Sequence, residues 1–133
     1  MATIQGQSAH QGFYGGTHGN MSTAIGKFTG VAVANDVIIL GKLPQGLIIK
    51  RVAAGTAVAN ASTTIDINAV KEDGSSIALA AALDVNNKIT AKDLMPVDTD
   101  FSSVEIQAVV KGGGIAAGSN LTVYIEYLAV GTK

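Results

Sequence analysis

The sequence predicts an all-β fold, an antiparallel β-sandwich or jelly roll of about seven or eight strands carrying an extended N-terminal arm. Three observations carry this expectation. Apolar and polar residues alternate with period two in several short runs enriched in Val, Ile and Thr, the pattern of strands with one buried face. Gly, Asn, Asp and Pro repeatedly interrupt those runs, each suited to a reversal of the chain. The first twenty-two residues, MATIQGQSAHQGFYGGTHGNMS, hold Gly, Gln, Ser and His with almost no charge. Such a segment buries too little apolar surface to offset its own ordering entropy, so residues 1–22 are read as a docking arm and residues 23–133 as the β domain.

In chain order, residues 24–34 alternate with small side chains, and Gly26 and Gly30 place that strand at a sheet edge. Residues 36–43 and 47–55 flank Leu43-Pro44-Gln45-Gly46, where Pro presets φ at the second turn position and Gly suits the fourth; a tight reversal is expected. Residues 63–72 turn Ile65, Ile67 and Ala69 inward and Thr64, Asp66 and Asn68 outward, and Asp73-Gly74 reverses the chain into Ile77 and Leu79 as a hairpin. Residues 75–92 mix helix formers (SSIALAAALDV) with breakers at Asn86, Asn87 and Thr90; a strand followed by a loop is expected, with a short helix as the alternative. Residues 93–100, with Pro96 between acids, read as an extended crossing between sheets. Residues 103–111 bury Val104, Ile106, Ala108 and Val110. Residues 120–130 bury Leu121, Val123, Ile125 and Tyr127 opposite Thr122, Tyr124 and Glu126. The loop KGGGIAAGSN joins these last two strands as a hairpin.

A chain of 133 residues is long enough for one core. Hydrophobic residues make up 47% and charged ones 14%, against about 25% charged in ordinary soluble domains, so much of the surface is neutral and suited to contact with other surfaces. The apolar set holds no Trp, three Phe and three Tyr; self-association, a trimer before a dimer, would supply burial that so small a set of large side chains does not. Nine basic residues against ten acidic ones give a net charge of -1, and the lysines are scattered, so nucleic acid is not an expected partner. The chain has no cysteine, which removes disulfides and thiolate chemistry. The start lacks a basic region followed by an apolar one and no run is long enough to span a bilayer, so neither secretion nor a membrane is expected.

No catalytic set is visible. His10 and His18 lie in the arm without a carboxylate or cysteine to complete a metal shell, and Asp93, Asp98 and Asp100 lack the glycine-spaced loop and closing Glu of a calcium site. No Gly-x-Ser-x-Gly elbow occurs, and Gly112-Gly113-Gly114 has no Lys-Ser/Thr after it to bind phosphate. Neither cofactor nor metal is expected. Tyr124 and Tyr127 point to opposite faces of one strand, which assigns one to the core and one to a subunit contact. The binding candidates lie in the arm: Gln5, Gln7, His10, Phe13, Tyr14, His18 and Met21, with the adjacent aromatics Phe13 and Tyr14, flanked by glycines, as apolar anchors.

The segment Asp36-Val-Ile-Ile-Leu-Gly-Lys-Leu-Pro-Gln-Gly-Leu-Ile-Ile-Lys-Arg-Val52, the run Thr64-Ile-Asp-Ile-Asn68 and the closing Leu121-Thr-Val-Tyr-Ile-Glu-Tyr127 resemble small tailed-bacteriophage capsid decoration, or cement, proteins, in which two hydrophobic runs joined through Leu-Pro-x-Gly form a hairpin early in the sandwich. The resemblance covers the order of elements over about residues 30–130. It implies a non-enzymatic protein made in the host cytoplasm that binds the major capsid protein on the outer surface of a phage head, as a trimer or dimer, and resists internal pressure. A carbohydrate- or receptor-binding module of a phage fibre would share the architecture, but such modules present several exposed aromatics, and this chain is poor in them.

Overall fold

Each alternating run becomes a strand whose inward residues meet those of a second sheet. The computed structural model describes residues 2–5, 21–58, 60, 62–98 and 103–129. Among them are nine strands and no helix: β1 (Thr3–Gln5), β2 (Met21–Phe28), β3 (Val37–Leu43), β4 (Leu47–Gly55), β5 (Thr64–Lys71), β6 (Ser76–Asp84), β7 (Ile89–Asp98), β8 (Val104–Lys111) and β9 (Leu121–Ala129). One sheet has the order β1-β3-β8-β5-β6 and the other β2-β9-β4-β7. Every pairing is antiparallel except β1 with β3. Strands β2 to β9 are thus two four-stranded sheets in jelly-roll order, and β1 adds a ninth strand beside β3.

Between the sheets, Ile38, Leu40, Ile65, Ile67, Ile106 and Val110 face Leu47, Ile49, Val52, Leu121, Val123 and Ile125, all buried. At about 1.5–3 kcal/mol for each large aliphatic side chain withdrawn from water, this layer dominates the stability. Phe28 and Tyr127 are its only buried aromatics among the described residues. The inward sets predicted for residues 63–72, 103–111 and 120–130 are the ones observed, and Asp73-Gly74 does close the β5–β6 hairpin.

The pairings differ from the sequence expectation in several places. The last two strands form no hairpin. Residues 112–120 cross from one sheet to the other because Ile115 is buried between them, held to Ala32 by N–H to carbonyl bonds of 3.1 and 2.8 Å. Strand β8 therefore lies between β3 and β5, and β9 between β2 and β4. The Leu43-Pro44-Gln45-Gly46 reversal likewise joins different sheets rather than a hairpin; Gly46 adopts φ 77°.

The alanine-rich run forms β6, with no helix, since Leu79, Ala80 and Leu83 bury on the sandwich and tertiary burial outweighs a propensity of a few tenths of a kcal/mol per residue. A bulge at Ala82 (φ 56°) is closed by its N–H donating to Asp66 Oδ1 at 2.8 Å. Beyond Asn86-Asn87 the chain enters strand β7, which takes in residues 93–98 expected as a crossing; its Pro96 is tolerated because β7 is an edge. The strand foreseen at 24–34 runs over Met21–Phe28, at an edge as expected. Gly26 has a packing role there: a Cβ on it would stand 2.9 Å from Leu40 Cβ of the facing sheet.

Candidate functional site

The segment proposed as an arm is anchored at both ends. At the first, Asp36 sits buried just before β3. Its Oδ1 accepts the Ala2 N–H at 3.1 Å and its Oδ2 the Val33 N–H at 3.0 Å. The Val37 N–H donates to the Ala2 carbonyl at 2.8 Å, and Thr3, Ile4 and Gln5 pair with Val37, Ile38 and Ile39. The Val33 N–H, then that of Ala2, holds the Asp36 carboxyl below its ordinary range; partial desolvation opposes them and the N-terminal charge assists. At the second anchor, Met21 and Ser22 begin β2 and pair with Leu128 and Tyr127. Residues 6–20 therefore join an edge of one sheet to an edge of the other.

Of the sequence-predicted binding residues, Gln5 and Met21 occupy strand positions in β1 and β2. Gln7, His10, Phe13, Tyr14 and His18 lie outside the described residues.

The register of the second sheet assembles a surface that no single segment announces. On its outer face, Thr23, Glu126, Arg51 and Asp93 form one cross-strand row, and Ile25, Tyr124, Ala53 and Ala91 the next. The first row is charged: Arg51 Nε lies 3.5 Å from Asp93 Oδ1 and 3.8 Å from Glu126 Oε2. These exposed pairs are worth at most about 1 kcal/mol each and serve chiefly to orient the guanidinium. The second row is apolar across four strands, with Ile25 exposed and the Tyr124 ring half-buried. A depression on this face is lined by Thr23, Arg51, Ala53, Tyr124 and Glu126. Tyr124 is the outward member of the tyrosine pair and Tyr127 the core member, as their spacing required.

Tyr124 stands out in the sequence, whereas Ile25, Arg51, Ala53 and Ala91 do not. Alternation gives each residue its face, but only the strand order 2-9-4-7 makes the four neighbours. Chemically, the surface offers contact. Among the described residues there is no group of three or more His, Cys, Asp or Glu able to hold a metal, and no helix long and apolar enough to cross a membrane.

The fold has counterparts among solved structures. A chain of the Ralstonia phage GP4 capsid structure superposes with a TM-score of 0.69 at 15% identity, over 98% of this chain and 99% of that one. A chain of the cyanophage Pam1 capsid asymmetric unit gives a TM-score of 0.53 at 20% identity, over 92% and 94%. No protein-family model and no curated protein sequence matches the chain.

Proposed function

We propose that this chain is a structural component of a phage virion, a decoration or cement protein that attaches to the outer surface of the head and stabilises the shell without catalysing a reaction. One observation carries the reading: the jelly roll matches, end to end, a chain of nearly the same extent in the capsid of Ralstonia phage GP4. The correspondence covers essentially the whole of both chains, so the likeness is to a complete small capsid component rather than to one lobe of a larger protein. The chemistry of the surface agrees, because a neutral face with an apolar row is suited to contact with other protein and offers no reactive group.

Two contact surfaces are implied. Segment 1–22 supplies Phe13 and Tyr14 as anchors, with Gln5, Gln7, His10, His18 and Met21 around them, for the major capsid protein or a neighbouring copy. The row Ile25, Tyr124, Ala53 and Ala91 supplies the contact of a closed homo-oligomer, a trimer before a dimer. Tyr124 is the only aromatic on an outer face among the described residues, so the fibre-module alternative gains no stacking platform.

The test is co-sedimentation with expanded, DNA-filled phage heads prepared without this protein. Residues 2–5 and 21–22 belong to the sheets, so deleting the whole segment would remove an edge strand; the double substitution Phe13→Ser with Tyr14→Ser is the cleaner probe. The parent protein sediments with heads, and the variant, equally folded, attaches at least about tenfold more weakly. Failure of the parent to sediment contradicts the function. Equal attachment of both contradicts the anchor role alone.

A further inference from the structure

The two ends of the sandwich differ in chemistry, and the difference assigns them different neighbours. The cross-strand partners Phe28 with Leu121, Gly55 with Thr122 and Ile89, Thr64 with Lys111 and Asp84, and Val37 with Val109 bring four connections together at one end. These are residues 29–36, 56–63, 85–88 and 112–120. In sequence they read TGVAVAND, TAVANAST, VNNK and GGGIAAGSN, with two charged residues among them. Asp36 is buried against Ala2 and Val33, and Lys88 Nζ is paired with Asp84 Oδ2 at 3.0 Å. At the rim Lys111 Nζ lies 3.4 Å from Asn35 Oδ1.

Four of the five exposed large aliphatic residues among those described stand at this end: Val31 (59% exposed), Val33 (61%), Val58 (41%) and Ile89 (58%). The opposite end is charged. Its connections carry Glu72 and Asp73, and Lys42, Lys71, Glu72, Ser103 and Glu105 line a depression there.

The apolar end is also held still. The Asn60 side chain, nearly inaccessible to water, accepts the Ala116 N–H at 3.0 Å through Oδ1, while its Nδ2 lies within donating distance of Thr56 Oγ1 and Ser119 Oγ, both at 3.2 Å. The Asn60 N–H donates to Asn86 Oδ1 at 2.9 Å, and Thr63 Oγ1 to the Gly114 carbonyl at 2.9 Å. Three connections are thus tied to one another, and the Ala32–Ile115 bridge ties the fourth. Aliphatic side chains on a fixed backbone lose little conformational entropy on docking.

We infer that this end, through Val31, Val33, Val58 and Ile89, seats the chain on a neutral, apolar surface of the capsid shell and leaves the Glu72 end in water. The inference rests on the proposed function, which supplies a shell as the partner. The contrast between the ends selects the orientation: burying an uncharged tip gains apolar contact, whereas burying the opposite end would desolvate Lys42, Lys71, Glu72, Asp73 and Glu105. It also selects the occupant's chemistry, because unpaired charge on the shell facing this tip would find no partner.

The experiment compares the parent, the double variant Val31→Lys with Val33→Lys, and Glu72→Lys, which changes net charge by the same amount at the other end. Each is sedimented with expanded, DNA-filled heads, with native mass and Tm measured alongside. The valine variant keeps the parental Tm and native mass and attaches about tenfold more weakly or worse, while Glu72→Lys attaches as the parent does. If the parent fails to attach, the proposed function falls and removes the partner assumed here. If the parent and the valine variant attach equally, only the present inference is overturned. A lower native mass would show the end to be an interface between copies, and a Tm lower by several degrees would show the valines covered by the chain itself; either result overturns it.

Discussion

Replacing Asn60 with Ala should cost this small sandwich a large fraction of its stability although no apolar contact is lost. Asn60 lies between β4 and β5, and its side chain reaches Thr56, Ser119 and the N–H of Ala116 on the distant 112–120 crossing. Thr56 and Ser119 are themselves buried, and their hydroxyls already donate to the carbonyls of Val85 and Ala116, so neither can turn to water when the amide is removed. The Ala116 N–H loses its acceptor outright. At about 1 kcal/mol for each hydrogen bond lost and about 1–3 kcal/mol for a stranded buried donor, the sum is about 3–4 kcal/mol. For a domain of this length about 3–5 °C accompanies each kcal/mol, so Tm should fall by about 10–15 °C. Calorimetry and urea titration read the loss, and hydrogen exchange at Ala116 should accelerate with it. A loss below about 1 kcal/mol, with Ala116 still protected, would refute the role of Asn60 as the tie between these connections.

The remaining expectations are smaller. Asp36 has its folded-state pKa below the ordinary 3.8, so the stability it contributes is present above that value and is lost as pH falls through the lowered one; the gap between parent and Asp36→Asn in urea titrations should be widest near neutrality and close in acid, and a gap that widens in acid would contradict the clip to Ala2. Gly46→Val forces φ 77° on a β-branched residue, costing about 1–3 kcal/mol, and should lower Tm while head attachment per folded molecule is unchanged. Ile25→Asp places a charge in the apolar row of the second sheet and should shift native mass at micromolar concentration toward monomer, with Tm nearly unchanged because Ile25 is 46% exposed.

The faces of the strands were legible in the sequence, and much of their pairing was not. Alternation in residues 103–111 and 120–130 fixed which side chains are inside, since one buried face leaves no other assignment. It said nothing about partners. The glycine-rich 112–120 segment suits a hairpin locally, and what overrides that is Ile115 reaching the core beside Ala32, a contact between residues far apart in the chain. The alanine run of β6 has helical propensity, and only pairing with the neighbouring β5 makes its strand form the more stable one. Leu43-Pro44-Gln45-Gly46 announced a reversal correctly but not that the reversal leaves one sheet for the other.

The candidate surfaces divide in the same way. Tyr124 was visible as an outward aromatic from its own strand. The row it forms with Ile25, Ala53 and Ala91, and the gathering of Val31, Val33, Val58 and Ile89 at one end, exist only through strand order. The arm was legible as composition, and its attachment through Ala2 and Asp36 was not, because a buried carboxylate clipping a distant N–H leaves no mark in local sequence.

The most direct measurement is cryo-electron microscopy of expanded, DNA-filled heads with and without the purified chain. The account predicts added density on the outer surface at symmetry-related positions, fitted by the jelly roll with its Val31 and Val33 end against the shell and its Glu72 end outward. Heads unchanged by the protein, or density confined to the interior or to a tail appendage, would contradict it.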